Sequence, residues 1–218
     1  MGCDKNLLFT SSGSFESDFI EMGKSYIDDI LKRKLYEYFC KNPNTTLMFE
    51  VVHPNDPHII KYKKNDYGLY LIGARENSLL AKLFEENVLD SIAKNFKVKR
   101  PKHFKISSKN IEELKIQKKV EGYIIRDTKN KESLCKLKTD YYKTIKFLGR
   151  MKDSKLKKMF EDHKPFLQQI PNNYNYVIEK LTAPDICNIN KFLSWDENKR
   201  VDFIRKLCDK KIVKIENS

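Results

Sequence analysis

The apolar positions change their spacing several times along the chain, and each change predicts an element. Leu7 to Thr10 reads as a short strand entering a Ser-Ser-Gly-Ser turn. Phe19, Met22, Tyr26, Ile30, Tyr38 and Phe39 then recur at helical spacing, which predicts one long amphipathic helix capped at Ser17 and ended by Asn42-Pro43-Asn44. Three strand candidates follow, Thr45 to His53, Ile59 to Tyr62 and Leu69 to Ala74, with turns at Pro54-Asn55-Asp56-Pro57 and Asn65-Asp66-Tyr67-Gly68. A second helix is expected from Ser78 to Lys94, with Leu79, Leu80, Leu83, Val88 and Ile92 facing inward. After a basic segment, a short helix begins near Ser108, and Val120 to Asp127 with Leu134 to Lys138 reads as a hairpin turning at Lys129-Asn130-Lys131. From Asp140 onward helical spacing dominates, through Trp195 to Leu207. This order predicts an α+β fold of antiparallel sheets, helices packed outside them, and a helical C-terminal appendage.

Composition narrows the class. A chain of 218 residues has room for one domain or a domain with a small appendage. With 40% hydrophobic and 11% aromatic residues it is too apolar to be disordered. No run approaches the roughly 18 apolar residues of a membrane helix, and the start lacks a signal peptide's apolar stretch. A soluble, cytoplasmic protein with no membrane partner is therefore expected, inside the host cell if viral. Cys3, Cys40, Cys135, Cys187 and Cys208 are odd in number and form no Cys-x-x-Cys pair, which predicts free, mostly buried thiols and no zinc. The net charge is +13, and ten Lys or Arg lie between Lys94 and Lys119 against only Glu112 and Glu113. Clustered cations bind polyanions by releasing counterions from phosphates, although a lysine-rich, merely solvated surface has the same composition.

Several side chains stand out against this background. Glu50 lies in Leu47-Met48-Phe49-Glu50-Val51-Val52, a strand apolar on both faces, where an unpaired carboxylate would cost several kcal/mol. Glu121 opens Glu121-Gly122-Tyr123-Ile124-Ile125 beside a glycine that would let a ligand approach the backbone. Taken alone, each acid is better explained by a salt bridge to a neighbouring lysine at a strand end. Lys136 and Lys138 project from one strand face, where their repulsion is relieved if a phosphate lies between them. Exposed lysines guarding an edge strand against aggregation explain them as well. His53 and His58 flank a turn and suggest solvent-facing imidazoles rather than a metal site, because no third ligand is at usable spacing. Tyr141-Tyr142-Lys143 with Lys146 either clamps RNA or packs the tail onto the domain.

In combination and order, Phe49-Glu50-Val51-Val52-His53-Pro54, Glu121-Gly122-Tyr123-Ile124-Ile125 and Lys136-Leu137-Lys138-Thr139-Asp140-Tyr141-Tyr142 resemble the third, fourth and fifth motifs of covalent nucleotidyltransferases. Ser12-Gly13-Ser14-Phe15, His58-Ile59-Ile60-Lys61-Tyr62 and Leu71-Ile72-Gly73-Ala74-Arg75-Glu76 add to a likeness with bacteriophage-type, ATP-dependent RNA ligases that runs from Leu7 to Tyr142. The tail reads helical, whereas DNA ligases and capping enzymes continue into a strand-rich barrel, which favours the RNA ligases.

The resemblance implies a nucleotidyltransferase cleft in residues 1–142, with 143–218 as the helical appendage. It implies ATP, with AMP carried on an intermediate, and Mg²⁺ as cofactors, and single-stranded RNA ends or a nicked tRNA-like molecule as partner. By its pattern Lys136 and Lys138 contact the α-phosphate, Glu121 helps hold the metal, Glu50 serves the ribose or a metal-bound water, and Tyr62 walls the adenine. Arg75 would pair with an active-site carboxylate, and Lys97, Lys99, Arg100, Lys102, Lys143 and Lys146 are candidate RNA contacts. The family's nucleophile motif, Lys-x-Asp-Gly, is absent: no glycine here follows an aspartate, and Lys64-Asn65-Asp66-Tyr67-Gly68 has an extra residue and the wrong place. The expectation is a truncated or split ligase unable to adenylylate itself alone, with an N-terminal segment supplied in trans. The alternative is a non-catalytic relative that binds RNA or a partner ligase.

Overall fold

Residues 18–41, expected as one helix, fold as two, because Asp28 interrupts the run and caps a new start. Its carboxylate accepts from the Leu31 amide at 2.7 Å, so α1 (Asp18–Lys24) ends and α2 (Asp29–Lys41) begins across a short break. Ser17 holds the N-cap position of α1 as predicted, but its hydroxyl makes no capping bond and is buried without a partner. The computed structural model describes residues 7–56, 59–127 and 133–209. The turn expected at Lys129-Asn130-Lys131, along with Cys3, Pro57 and His58, lies outside them. The fold is α+β with two small antiparallel sheets, and the chain divides into two units.

The first unit comprises the described residues of Met1–Asp56, Tyr62–Lys105 and Arg126–Ser133. Its sheet pairs β1 (Thr45–Val52) with β2 (Gly68–Glu76), opposing Glu50 to Tyr70 and Thr46 to Arg75, with an irregularity between Met48 and Phe49. Lys99 runs parallel to Tyr70 and extends the sheet through Leu71 N to Lys99 O (2.9 Å) and Lys99 N to Leu69 O (3.0 Å). Helix α3 (Glu86–Phe96) covers the inner face, where Leu71, Ala74, Leu89 and Ala93 are buried together, while Leu31 and Leu35 of α2 join Leu69 and Phe96. Residues 7–10 form no strand: Leu7 packs on this core, but no neighbour supplies a ladder. The expected helix from Ser78 starts eight residues late, at Glu86. Leu79 and Leu80 are fully exposed, because the Leu83 backbone bridges Arg75 and Phe84 N bonds Ala74 O at 2.8 Å, holding 77–85 on the edge of β2.

The second unit comprises the described residues of Pro57–Lys61, Ile106–Ile125 and Leu134–Ser218. Ile59 to Tyr62 is not a strand; Ile59 and Ile60 are buried, and the Ile59 carbonyl accepts from the Arg205 guanidinium at 2.9 Å instead of from a ladder. A 3₁₀ turn at Ser108–Asn110 leads into α4 (Ile111–Lys115), as expected near Ser108. β3 (Gly122–Arg126) pairs with β4 (Ser133–Lys138). Then come α5 (Asp140–Gly149), α6 (Asp153–Glu161), α7 (Lys164–Leu167), α8 (Asn175–Thr182), α9 (Ile189–Leu193) and α10 (Glu197–Cys208). Residue 142, after which the appendage was expected to begin, lies inside α5. Helix α5 packs on α10 closely enough that a Cβ on Gly149 would meet Val201 Cγ2 at 2.6 Å. No helix is long and apolar enough to cross a membrane among the described residues.

Candidate functional site

In the second unit the paired strands β3 and β4 end on three of the predicted residues. Glu121 directly precedes β3, Lys136 and Lys138 lie on β4, and the Lys138 ammonium donates to Glu121 Oε1. Both partners of this bridge are about two-fifths exposed, at 38% and 39%. It is therefore open to exchange, since a solvated pair is worth only about 0–1 kcal/mol and an anion can draw Lys138 away. Lys136 is exposed on the same strand, and Cys135 just before it is an exposed free thiol.

Gly122 fixes how near the two strands approach. A Cβ there would stand 2.2 Å from Leu137 O and 2.9 Å from Lys138 Cα. The glycine thus admits the neighbouring backbone, where the sequence had suggested a ligand. Thr139, wholly buried, closes the arrangement: its amide donates to Glu121 O at 3.0 Å and its hydroxyl donates to Val120 O at 2.6 Å while accepting from Tyr142 N at 3.2 Å. One residue thereby caps α5 and holds Glu121 beside Lys138. Sequence reading gave Thr139 no role, although a threonine between a strand and an amphipathic helix is the N-cap signal.

The Tyr142 ring, one turn into α5, carries the Lys138 ammonium at 5.0 Å and the Lys146 ammonium at 5.5 Å from its centre. Beyond it opens a cavity of about 930 Å³, walled by six cations: Lys138, Lys143, Lys146, Arg150, Lys152 and Lys155. No carboxylate lines it.

The first unit holds the other predicted residues. Glu50 is exposed on β1, not buried, because its face of the two-stranded sheet is only partly covered; the desolvation argument for it does not hold. Tyr62 is half-buried before the 3₁₀ turn Lys64–Asp66, and Arg75 is exposed on β2 with no carboxylate partner among the described residues. The sequence Lys64-Asn65-Asp66-Tyr67-Gly68 is a turn, as expected, with Gly68 at φ +139.

Among the basic candidates, Lys97 and Lys102 are exposed, whereas Lys99 and Arg100 have internal partners. Lys99 donates to Asn65 O (2.5 Å) and Tyr67 O (2.6 Å). Arg100 bonds Glu86, Asp90 (2.9 Å) and Leu71 O, and Arg126 shares Glu86. His53 is half-buried and stacks edge-on against Tyr26, centres 5.6 Å apart, rather than facing solvent. No group of three or more His, Cys, Asp or Glu forms a metal cage among the described residues. Cys40 is disulfide-bonded, against the expectation of a free thiol, while Cys187 and Cys208 are buried free thiols as predicted.

Comparison with known proteins adds one match. A family model described as RNA ligase covers residues 1–147 of the 218. No curated protein matches.

Proposed function

The chain belongs to the RNA ligase family, and we propose that Glu121, Lys136 and Lys138 serve the phosphate chemistry of ATP-dependent RNA end joining. The observation that carries this reading is the solvent-open bridge between Lys138 and Glu121, set beside the exposed Lys136 on adjoining strands. Two ammonium groups on one strand stabilise the negative charge that grows on an α-phosphate as its leaving group departs. Releasing Lys138 to that phosphate frees the Glu121 carboxylate at the same moment.

A half-exposed single carboxylate fits Mg²⁺, which binds through one or two carboxylates together with substrate phosphates and retained waters. Glu121 would hold it, and the ion would supply charge neutralisation at the phosphates. In the family's reaction AMP carried on a lysine passes to an RNA 5′-phosphate as the phosphorus–nitrogen bond breaks; the step assigned to the residues of this chain is the last, in which a 3′-hydroxyl attacks the RNA phosphorus and AMP leaves.

None of the 218 residues belongs to a Lys-x-Asp-Gly sequence, so these residues by themselves bind ATP without forming lysyl-AMP. ATP labelled on its α-phosphate tests both halves. With Mg²⁺, equilibrium binding is expected, weakened at least about tenfold by Lys136→Ala or Lys138→Ala, since a charge-assisted phosphate contact contributes roughly 1.5–3 kcal/mol. No label should survive denaturation. Absence of any ATP binding would overturn the reading in favour of a relative that only binds RNA.

A further inference from the structure

The cavity beside Lys138 continues past the residues to which the ligase chemistry assigns work. Lys138, Tyr142, Lys143, Lys146 and Phe147 lie within the family match, while Arg150, Lys152 and Lys155 follow it. Carboxylates answer only half of its cations. Lys138 has Glu121, Lys143 has Asp140 at 4.0 Å, and Arg150 has Glu197 at 2.7 Å. Lys146 and Lys152 have no carboxylate partner among the described residues, and Lys155 donates to the Gln169 amide oxygen at 2.8 Å. Lys146 instead rests on the Tyr142 face, and Lys155 sits 4.7 Å from the centre of Phe147. Unneutralised like charges around one concavity repel, and an occupying polyanion relieves them.

The floor decides which polyanion. Tyr142, Phe147, Met151 and Pro171 line the cavity between the cations. A bare pyrophosphate has no use for aromatic and aliphatic surface, and about 930 Å³ is at the upper end of small-ligand sites, far larger than a diphosphate needs. Alternating cations and aromatic faces are what single-stranded nucleic acid engages, its phosphates on the former and its bases on the latter.

We propose that this cavity binds a single-stranded segment of the RNA substrate, with phosphates on Lys146 and Lys152 and a base on Phe147. The site deepens the ligase reading and rests on it for calling the bound strand a substrate. Its neighbour Lys138 belongs to both sites, so a strand seated here leads directly to the phosphate chemistry.

A fluorescein-labelled 12-nucleotide oligoribonucleotide, followed by anisotropy against salt, tests the site. Lys146→Ala/Lys152→Ala should weaken binding about tenfold at low salt and reduce the salt slope by about 1.4, at about 0.7 per phosphate. Phe147→Leu keeps the floor apolar but removes the ring, and should weaken binding about fivefold or more with the slope unchanged. Lys32→Ala/Lys41→Ala removes the same charge from exposed positions of α2 and should leave binding nearly unaltered. Equal losses from both lysine pairs, or none from the cavity pair, overturn the proposal. So does a cavity pair that weakens ATP or pyrophosphate binding as much as RNA. Sealing of an RNA whose 5′ end already carries AMP, measured alongside, separates the two readings. Cavity-dependent binding without sealing removes the ligase reading alone, and sealing without cavity-dependent binding removes the RNA site alone.

Discussion

A glycine and a threonine set the geometry of the candidate site more firmly than its charged residues do. The Cβ of Gly122→Ala would press on the Leu137 carbonyl, a backbone atom that moves only if β3 and β4 part. The variant should lose about 1–3 kcal/mol of stability in urea unfolding, the usual range for overpacking. Gly13→Ala, with nothing within 4 Å of the added methyl, should be neutral. Thr139→Val keeps the shape of a wholly buried side chain but gives up the bonds to Val120 O and Tyr142 N. A loss of about 1–3 kcal/mol is expected, because the Val120 carbonyl and the first turn of α5 are left unsatisfied. The sequence singled out Lys138 by the two lysines that share a strand face and Glu121 by the glycine beside it, and the fold pairs the two. Glu50 misled, because a strand apolar on both faces was taken to be covered on both, and in a two-stranded sheet the Glu50 side is open.

Helices and strands were legible where their own residues decide them. The run after Asp140 became helical as its spacing demands, and β1 and β2 formed where alternating and β-branched residues accumulate. The failures came where tertiary partners override local pattern: Arg205 takes the Ile59 carbonyl, and the chain turns at 78–81 and is then held at Leu83 and Phe84 on the edge of β2, where leucines suggested a helix. The tail helices carry a pH signature. Burial pushes the thiols of Cys187 and of Cys208 on α10 up to about 12 from a usual value of 9.0. Burial likewise pushes Tyr176 on α8 up to about 12, with the neighbouring Cys208 adding to it. These groups lose their protons later in the folded chain than in the unfolded one. Their contribution is thus complete below about pH 9 and falls away as pH rises toward 12. Urea midpoints should hold steady from pH 7 to about 9 and then decline. In the native chain at neutral pH, iodoacetamide should modify exposed Cys135 quickly and Cys187 and Cys208 only on unfolding. Equal reactivity of all three would show that α8 to α10 do not pack as described.

At the scale of the whole molecule, the ordered motifs disclosed the family, which the match over residues 1–147 establishes. The sequence disclosed the cationic cavity only in part, through Tyr142, Lys143 and Lys146, since Lys152 and Lys155 and the segment after α7 join them only in the fold. The central claim is that these residues perform phosphate chemistry on RNA ends although they contain no Lys-x-Asp-Gly. The final joining step isolates it. When the 5′ end already carries AMP, the 3′-hydroxyl attacks the terminal phosphorus and AMP departs, and no lysine nucleophile takes part. The decisive measurement supplies the protein with Mg²⁺ and a pre-adenylylated RNA, without ATP, and resolves the joined product on a denaturing gel. The account predicts a joined strand with stoichiometric release of AMP, reduced at least about tenfold by Lys138→Ala or Glu121→Gln. No joining by a protein that still binds the RNA would contradict it.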